Sequence, residues 1–122
     1  MNYEDRVTKE YIESALAGAG VKLVAGTYEG DLTETRFIEI GFTPKLVYVC
    51  TAAGETVNGG TIKSHWGGLA LPNKPVVCPG NYSLVEVTTG GFIVHYKDTA
   101  GSTSGYNYRS NYYGEYHYFA IG

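Results

Sequence analysis

The sequence predicts an all-β fold, an antiparallel β-sandwich of six to eight strands with a short N-terminal helix. Three observations carry that expectation. Glycine accounts for 17 of 122 residues and aromatic residues for 14%, a pairing of many turns with many rings that suits short strands. From Val21 onward, apolar residues recur at period two between Gly-rich breaks. Only residues 8–19 show helical spacing. The chain divides accordingly into a helix or linker over residues 1–20 and one sandwich domain over 21–122.

In the helical stretch Thr8 can cap and Glu10 suits the first turn. Tyr11, Ile12, Ala15, Leu16 and Ala19 form one apolar stripe, and Gly18 and Gly20 end it. A helix this short is marginal alone. It has to dock, on its own sandwich or on the preceding part of a longer polypeptide.

The strands follow in order. Residues 21–28 form the first candidate, closed by Glu29-Gly30-Asp31, and 35–40 the second, closed by Gly41. Thr43-Pro44 marks a turn. Residues 45–52 form the third, with Leu46, Tyr48 and Cys50 on one face and Val47 and Val49 on the other. Residues 53–60 are a Gly-rich loop. Residues 61–71 carry Ile62, Trp66, Leu69 and Leu71, broken by Gly67-Gly68. Three prolines make 72–79 an edge or connector. Residues 83–88 and 91–97 form a hairpin through Thr89-Gly90. Residues 106–109 and 112–121 complete the set.

Two strands are apolar on both faces. They are Leu46 to Cys50, and the closing run in which Tyr116, Tyr118 and Ala120 alternate with His117, Phe119 and Ile121. One face enters the core, and the other needs a cover. A homo-oligomer is therefore expected.

Composition narrows the function. The net charge is −3 and the sequence has no Lys/Arg cluster, so neither nucleic acid nor an anionic membrane surface is an expected partner. No apolar run reaches the roughly 20 residues of a membrane span. The charged start, MNYEDRVTKEY, lacks a signal-peptide core, which implies synthesis in the cytoplasm. Cys50 and Cys78 have no CxxC partner or His at ligand spacing. They read as two buried thiols or, alternatively, as one disulfide. Glu29, Asp31 and Glu34 match no calcium-loop spacing, and no residue set suits nucleophilic catalysis or a phosphate loop. A non-enzyme without metal or cofactor is expected.

Half of the 12 tyrosines lie between Tyr106 and Tyr118. Tyr116 and Tyr118 belong to a regular strand and read as packing. The segment Tyr106, Asn107, Tyr108, Arg109, Ser110, Asn111, Tyr112 and Tyr113 mixes rings with amide, guanidinium and hydroxyl groups. That mixture suits a ligand site, and it also suits tyrosines packed at an oligomer axis. Trp66, in a Gly-rich loop, is a stacking platform or a loop anchor. His65 beside it is a hydrogen-bond partner or an ordinary exposed histidine. The candidate ligand-binding residues are Trp66, His65, Tyr106, Tyr108, Arg109, Asn111, Tyr112 and Tyr113.

Three segments together resemble a known family. They are the Phe42-Thr43-Pro44-Lys45 step between two apolar strands, the run Thr88-Thr89-Gly90-Gly91-Phe92 leading to Val94, and the closing Tyr118-Phe119-Ala120-Ile121-Gly122. In that order they resemble C-terminal receptor-binding domains of bacteriophage and prophage tail-fibre proteins. They are also similar to the H-type lectin pattern, a six-stranded sandwich that forms trimers. The resemblance covers about residues 21–122. It implies a homotrimeric module on a virion tail or phage-like particle, joined to upstream tail proteins and binding a cell-surface glycan. A purely structural tail-tip component and a glycan-degrading tail domain are the alternatives. Two departures matter. Tyr118 stands where the lectin pattern has Trp, and residues 53–75 have no counterpart. The lectins' sugar-binding residues therefore do not carry over.

Overall fold

A computed structural model of the chain describes residues 22–59, 63–99 and 106–122. Those residues are all-β and contain no helix. The helix expected over 8–19 lies outside them. The described residues form eleven strands rather than six to eight. The long ones are β1 (Leu23–Glu29), β2 (Thr35–Glu39), β3 (Leu46–Thr51), β8 (Tyr82–Thr88), β9 (Gly91–Asp98), β10 (Tyr106–Arg109) and β11 (Glu115–Ile121). The surplus is four strands of two or three residues, β4 (Val57–Asn58), β5 (Lys63–His65), β6 (Gly68–Ala70) and β7 (Val76–Cys78). All four fall in stretches that read as loop, broken strand or connector. Pairings this short are set by the neighbouring strand rather than by local pattern.

A four-stranded sheet runs β1-β11-β3-β6, entirely antiparallel. The second sheet runs β4-β5-β10-β9-β8-β7, with β2 also pairing β9. It is mixed, because β5 and β10 run parallel. The hub is β9, which pairs β8 through Gly91–Val94, β2 through Gly91–His95 and β10 through Tyr96–Asp98. The β8–β9 hairpin turns at Gly90, whose φ of 84° favours glycine.

The two sheets share one core. The first supplies Tyr28, Val47, Val49, Ala70, Tyr116 and Ala120, and the second supplies Cys78, Leu84, Val85, Phe92, Val94 and Tyr108. Tyr28 stacks on Tyr116 at 5.1 Å and meets Phe92 edge-on at 6.2 Å. Both cysteines are free, Cys78 buried and Cys50 half-buried. Burial pushes the Cys78 thiol up to about 11.

Val47 and Val49 face inward, and the alternation leaves Tyr48 on the outer face. There Phe119 pairs with Tyr48, and Tyr48 with Leu69. These three stay 39%, 36% and 52% exposed. A second row, Leu23, Ile121 and Leu46, lies beside them. The outer face of the four-stranded sheet thus carries a contiguous apolar strip.

Candidate functional site

The site forms where β9 and β10 meet. Their register sets Arg109 opposite Tyr96 and Asn107 opposite Asp98, so Tyr96, Asp98 and Arg109 share one face. Arg109 donates from Nε to Asp98 Oδ1 at 2.9 Å and from Nη2 to Asp98 Oδ2 at 2.8 Å. This two-pronged, charge-assisted pair fixes the guanidinium plane. Tyr96 Oη donates to Asp98 Oδ2 at 3.3 Å. The hydrogen bonds to Asp98 raise the Arg109 pKa, whereas partial burial followed by the Asp98 charge raises that of Tyr96. The guanidinium lies 4.1 Å from the Tyr112 ring centre and 5.7 Å from that of Trp66. Tyr96 and Tyr113 flank Tyr112 at 5.5 and 5.6 Å, and Tyr113 is 67% exposed.

A buried anchor holds these rings. Ser110 and Asn111 are fully buried. Ser110 Oγ accepts from His95 N and donates to the Leu84 carbonyl, both at 2.8 Å. Asn111 Nδ2 donates to Asp31 Oδ1 at 2.6 Å, to Thr33 Oγ1 at 2.9 Å and to the Thr33 carbonyl at 3.0 Å. Its Oδ1 accepts from Arg36 Nη1 and from Asp31 N at 3.3 Å. Tyr116 Oη caps the Arg109 carbonyl at 2.6 Å. Tyr112 also crosses close to Gly30, where an added Cβ would strike the Tyr112 carbonyl. The turn displaying Tyr112 and Tyr113 is therefore built from below.

The predicted residues separate into groups. Trp66, Arg109, Tyr112 and Tyr113 come together. His65 joins Tyr106 and Tyr108 instead, at 5.9 and 6.3 Å. Burial and the Lys63 charge lower the His65 pKa. Tyr108 is buried, stacks on Tyr82 at 4.3 Å and donates its hydroxyl to the Pro79 carbonyl. Asn111 is spent on its anchor. Neither Tyr108 nor Asn111 presents a group to a ligand, because each has every polar contact satisfied indoors. Trp66 packs against the core, with Arg109 over its ring, as a platform for the guanidinium. Two buried nitrogens, His65 Nε2 and Trp66 Nε1, have no hydrogen-bond partner among the described residues.

Tyr96 and Asp98 were not among the predicted residues. Their partial signal is the period-two continuation of Phe92 and Val94 past the apolar run, which places Tyr96 and Asp98 on one face; the register with β10 brings Arg109 to it. Elsewhere on the second sheet, His95 Nε2 lies 2.7 Å from Glu86 Oε2 and its Nδ1 lies 3.3 Å from Thr35 Oγ1. Among the described residues, no group of three or more His, Cys, Asp or Glu side chains could hold a metal ion. No helix among them is long and apolar enough to cross a membrane. The chain matches no family model, no curated protein and no solved structure.

Proposed function

We propose that this chain is a non-enzymatic receptor-binding module of a phage or prophage tail fibre, acting as a homotrimer on the virion tail and recognising a cell-surface carbohydrate. The observation that carries the binding role is the pre-organised group of Tyr96, Asp98, Arg109, Tyr112 and Tyr113. The exposed Tyr113 ring lies against Tyr112, the ring that carries the guanidinium of a fixed donor–acceptor pair, the combination that sugar C–H faces and hydroxyls require. The apolar strip through Phe119, Tyr48 and Leu69 supports the oligomer, since subunit contacts bury such surface. The tail setting rests on the family resemblance of the Phe42–Lys45 step, the β8–β9 hairpin and the closing strand. The first lies between β2 and β3, the second supplies the hub strand β9, and β11 joins β3 to β1. Upstream tail proteins are the expected neighbours, and synthesis is cytoplasmic.

A glycan array with the assembled protein tests the proposal, with Tyr113→Ala as control. Signals that the variant loses support it. One specific observation favours a second reading, a structural tail-tip component: Tyr28, Tyr108 and Tyr116 are all spent on internal packing. A silent array from a correctly assembled oligomer selects that reading. Turnover of a polysaccharide would replace both with a glycan-degrading domain.

A further inference from the structure

The charge state of the Arg109–Asp98 pair bears on which glycans the site admits. We infer that it takes an uncharged sugar through two hydroxyl groups that are not neighbours on the ring, and that it discriminates against sugars bearing carboxylates. The inference rests on the binding role proposed above.

Consider an acidic sugar first. A carboxylate normally seeks a guanidinium fork for two parallel hydrogen bonds. Here the fork formed by Nε and Nη2 of Arg109 is already filled by Asp98. A second carboxylate has either to displace Asp98 or to settle beside a like charge, and both are unfavourable. A cationic ligand fares no better. The Tyr112 face that would attract it already carries the Arg109 guanidinium at 4.1 Å, and the incoming charge has the same sign as that of Arg109.

A neutral diol meets neither obstacle. An ionised carboxylate has about four acceptor positions. Arg109 fills two of them and the Tyr96 hydroxyl a third, which leaves one. Among the described residues nothing engages Nη1 of Arg109. The free position is on Oδ1, on the Nε side of the guanidinium and away from Nη1, so one sugar hydroxyl can donate to Asp98 while a second, not adjacent to it, accepts from Nη1. The pair is reachable, because the Arg109 and Asp98 side chains are 20% and 31% exposed. Tyr113, projecting beside Tyr112, offers the surface for the sugar's C–H face. Two rings and one ion pair, themselves rigidly held, supply recognition without a net charge.

The test uses the intact chain and a panel of neutral pyranose oligosaccharides, alongside the same cores capped with sialic acid or glucuronic acid. Affinity is measured by calorimetry at low and high salt. Binding to the neutral members is expected, with little change between 50 mM and 500 mM salt. Capping with an acid is expected to weaken binding at least tenfold. Asp98→Asn should weaken the neutral ligands about tenfold and narrow the gap to the acidic ones. Preference for the acid-capped members, or affinity that collapses with salt, overturns this inference and leaves the carbohydrate role standing. Neutral binding that neither Asp98→Asn nor Tyr113→Ala disturbs also overturns it, by placing the site elsewhere. Silence from the whole panel overturns the carbohydrate role and this inference together.

Discussion

Asn111 reaches Asp31 across 80 positions of sequence, its Nδ2 donating to Asp31 Oδ1 at 2.6 Å. The contact ties the β1–β2 loop to the turn that displays Tyr112 and Tyr113. Leu32 N closes the same junction by donating to the Asn111 carbonyl at 2.9 Å, and Leu32 sits there at a φ of 66°, uncommon for a residue with a Cβ. Such a conformation persists only where its surroundings over-determine it.

Asn111→Ala removes the side-chain half of this junction. It takes the amide away from Asp31, which keeps its Thr33 hydrogen bonds, and from the Thr33 carbonyl and Arg36, and opens a cavity beside them. A loss of about 3 kcal/mol is expected, read as a lower urea midpoint at unchanged slope. Glycan affinity should fall too, although Asn111 touches no ligand. Unchanged stability would show that the turn is held from elsewhere.

Acid should loosen the same loop. Hydrogen bonds from Thr33, first from its side chain and then from its backbone, hold the Asp31 carboxyl down at about 2, from an ordinary 3.8. A depressed carboxyl contributes stability that is fully present above its unfolded pKa and lost as pH falls through the folded one. The window is therefore pH 4 to 2. Asp31 is largely exposed, so solvent screening limits the effect to about 1 kcal/mol. Asp31→Asn should flatten that part of the stability profile, and a profile unaltered by the substitution would refute the assignment.

Alkali acts on the core. Burial raises the Tyr116 hydroxyl well above its usual value, and burial followed by the Tyr116 charge raises that of Tyr28. Raised acids contribute stability that is present below the unfolded pKa, near 10, and lost as pH climbs toward the folded one. Cooperative unfolding is expected above about pH 10, with tyrosinate absorbance at 295 nm appearing together with loss of the near-ultraviolet circular dichroism. Smooth ionisation of all tyrosines before unfolding would contradict the buried stack.

Leu69→Glu probes the apolar strip. Leu69 is half-exposed and sits on the edge strand β6, so a charge there perturbs the isolated fold by no more than about 0.5 kcal/mol. In the proposed trimer it becomes a buried charge. Light scattering should report a fall from three chains to one of 13.2 kDa, with the circular dichroism of the strands retained. A mass unmoved by the substitution excludes this strip from the interface.

Alternation made much of the fold legible. It put Val47 and Val49 on one face of β3, set the β8–β9 hairpin at Thr89-Gly90, and assigned Tyr116 to packing. It failed for β4, β5, β6 and β7, whose two or three residues are paired by tertiary neighbours rather than by any period of their own. The site was legible only in part. Arg109, Tyr112 and Tyr113 stood out by chemistry. Tyr108 and Asn111 carry the same chemistry and are buried, because neighbouring strand positions face opposite ways and because an amide can serve as an internal anchor. Asp98 was hidden in turn, since its partnership with Arg109 depends on the register across a loop that no local pattern specifies.

The order of the four-stranded sheet also bears on synthesis. Strand β11 lies between β1 and β3, so Leu23 waits for Ile121 as its partner. At translation speeds of roughly 5–20 residues per second, β1 spends about 5–20 s with that edge unpaired. Such long-range closure is slow. Nascent chains stalled before β11 would expose sticky, half-built sheet, and newly made protein should be most vulnerable to holdase chaperones and proteases during that interval.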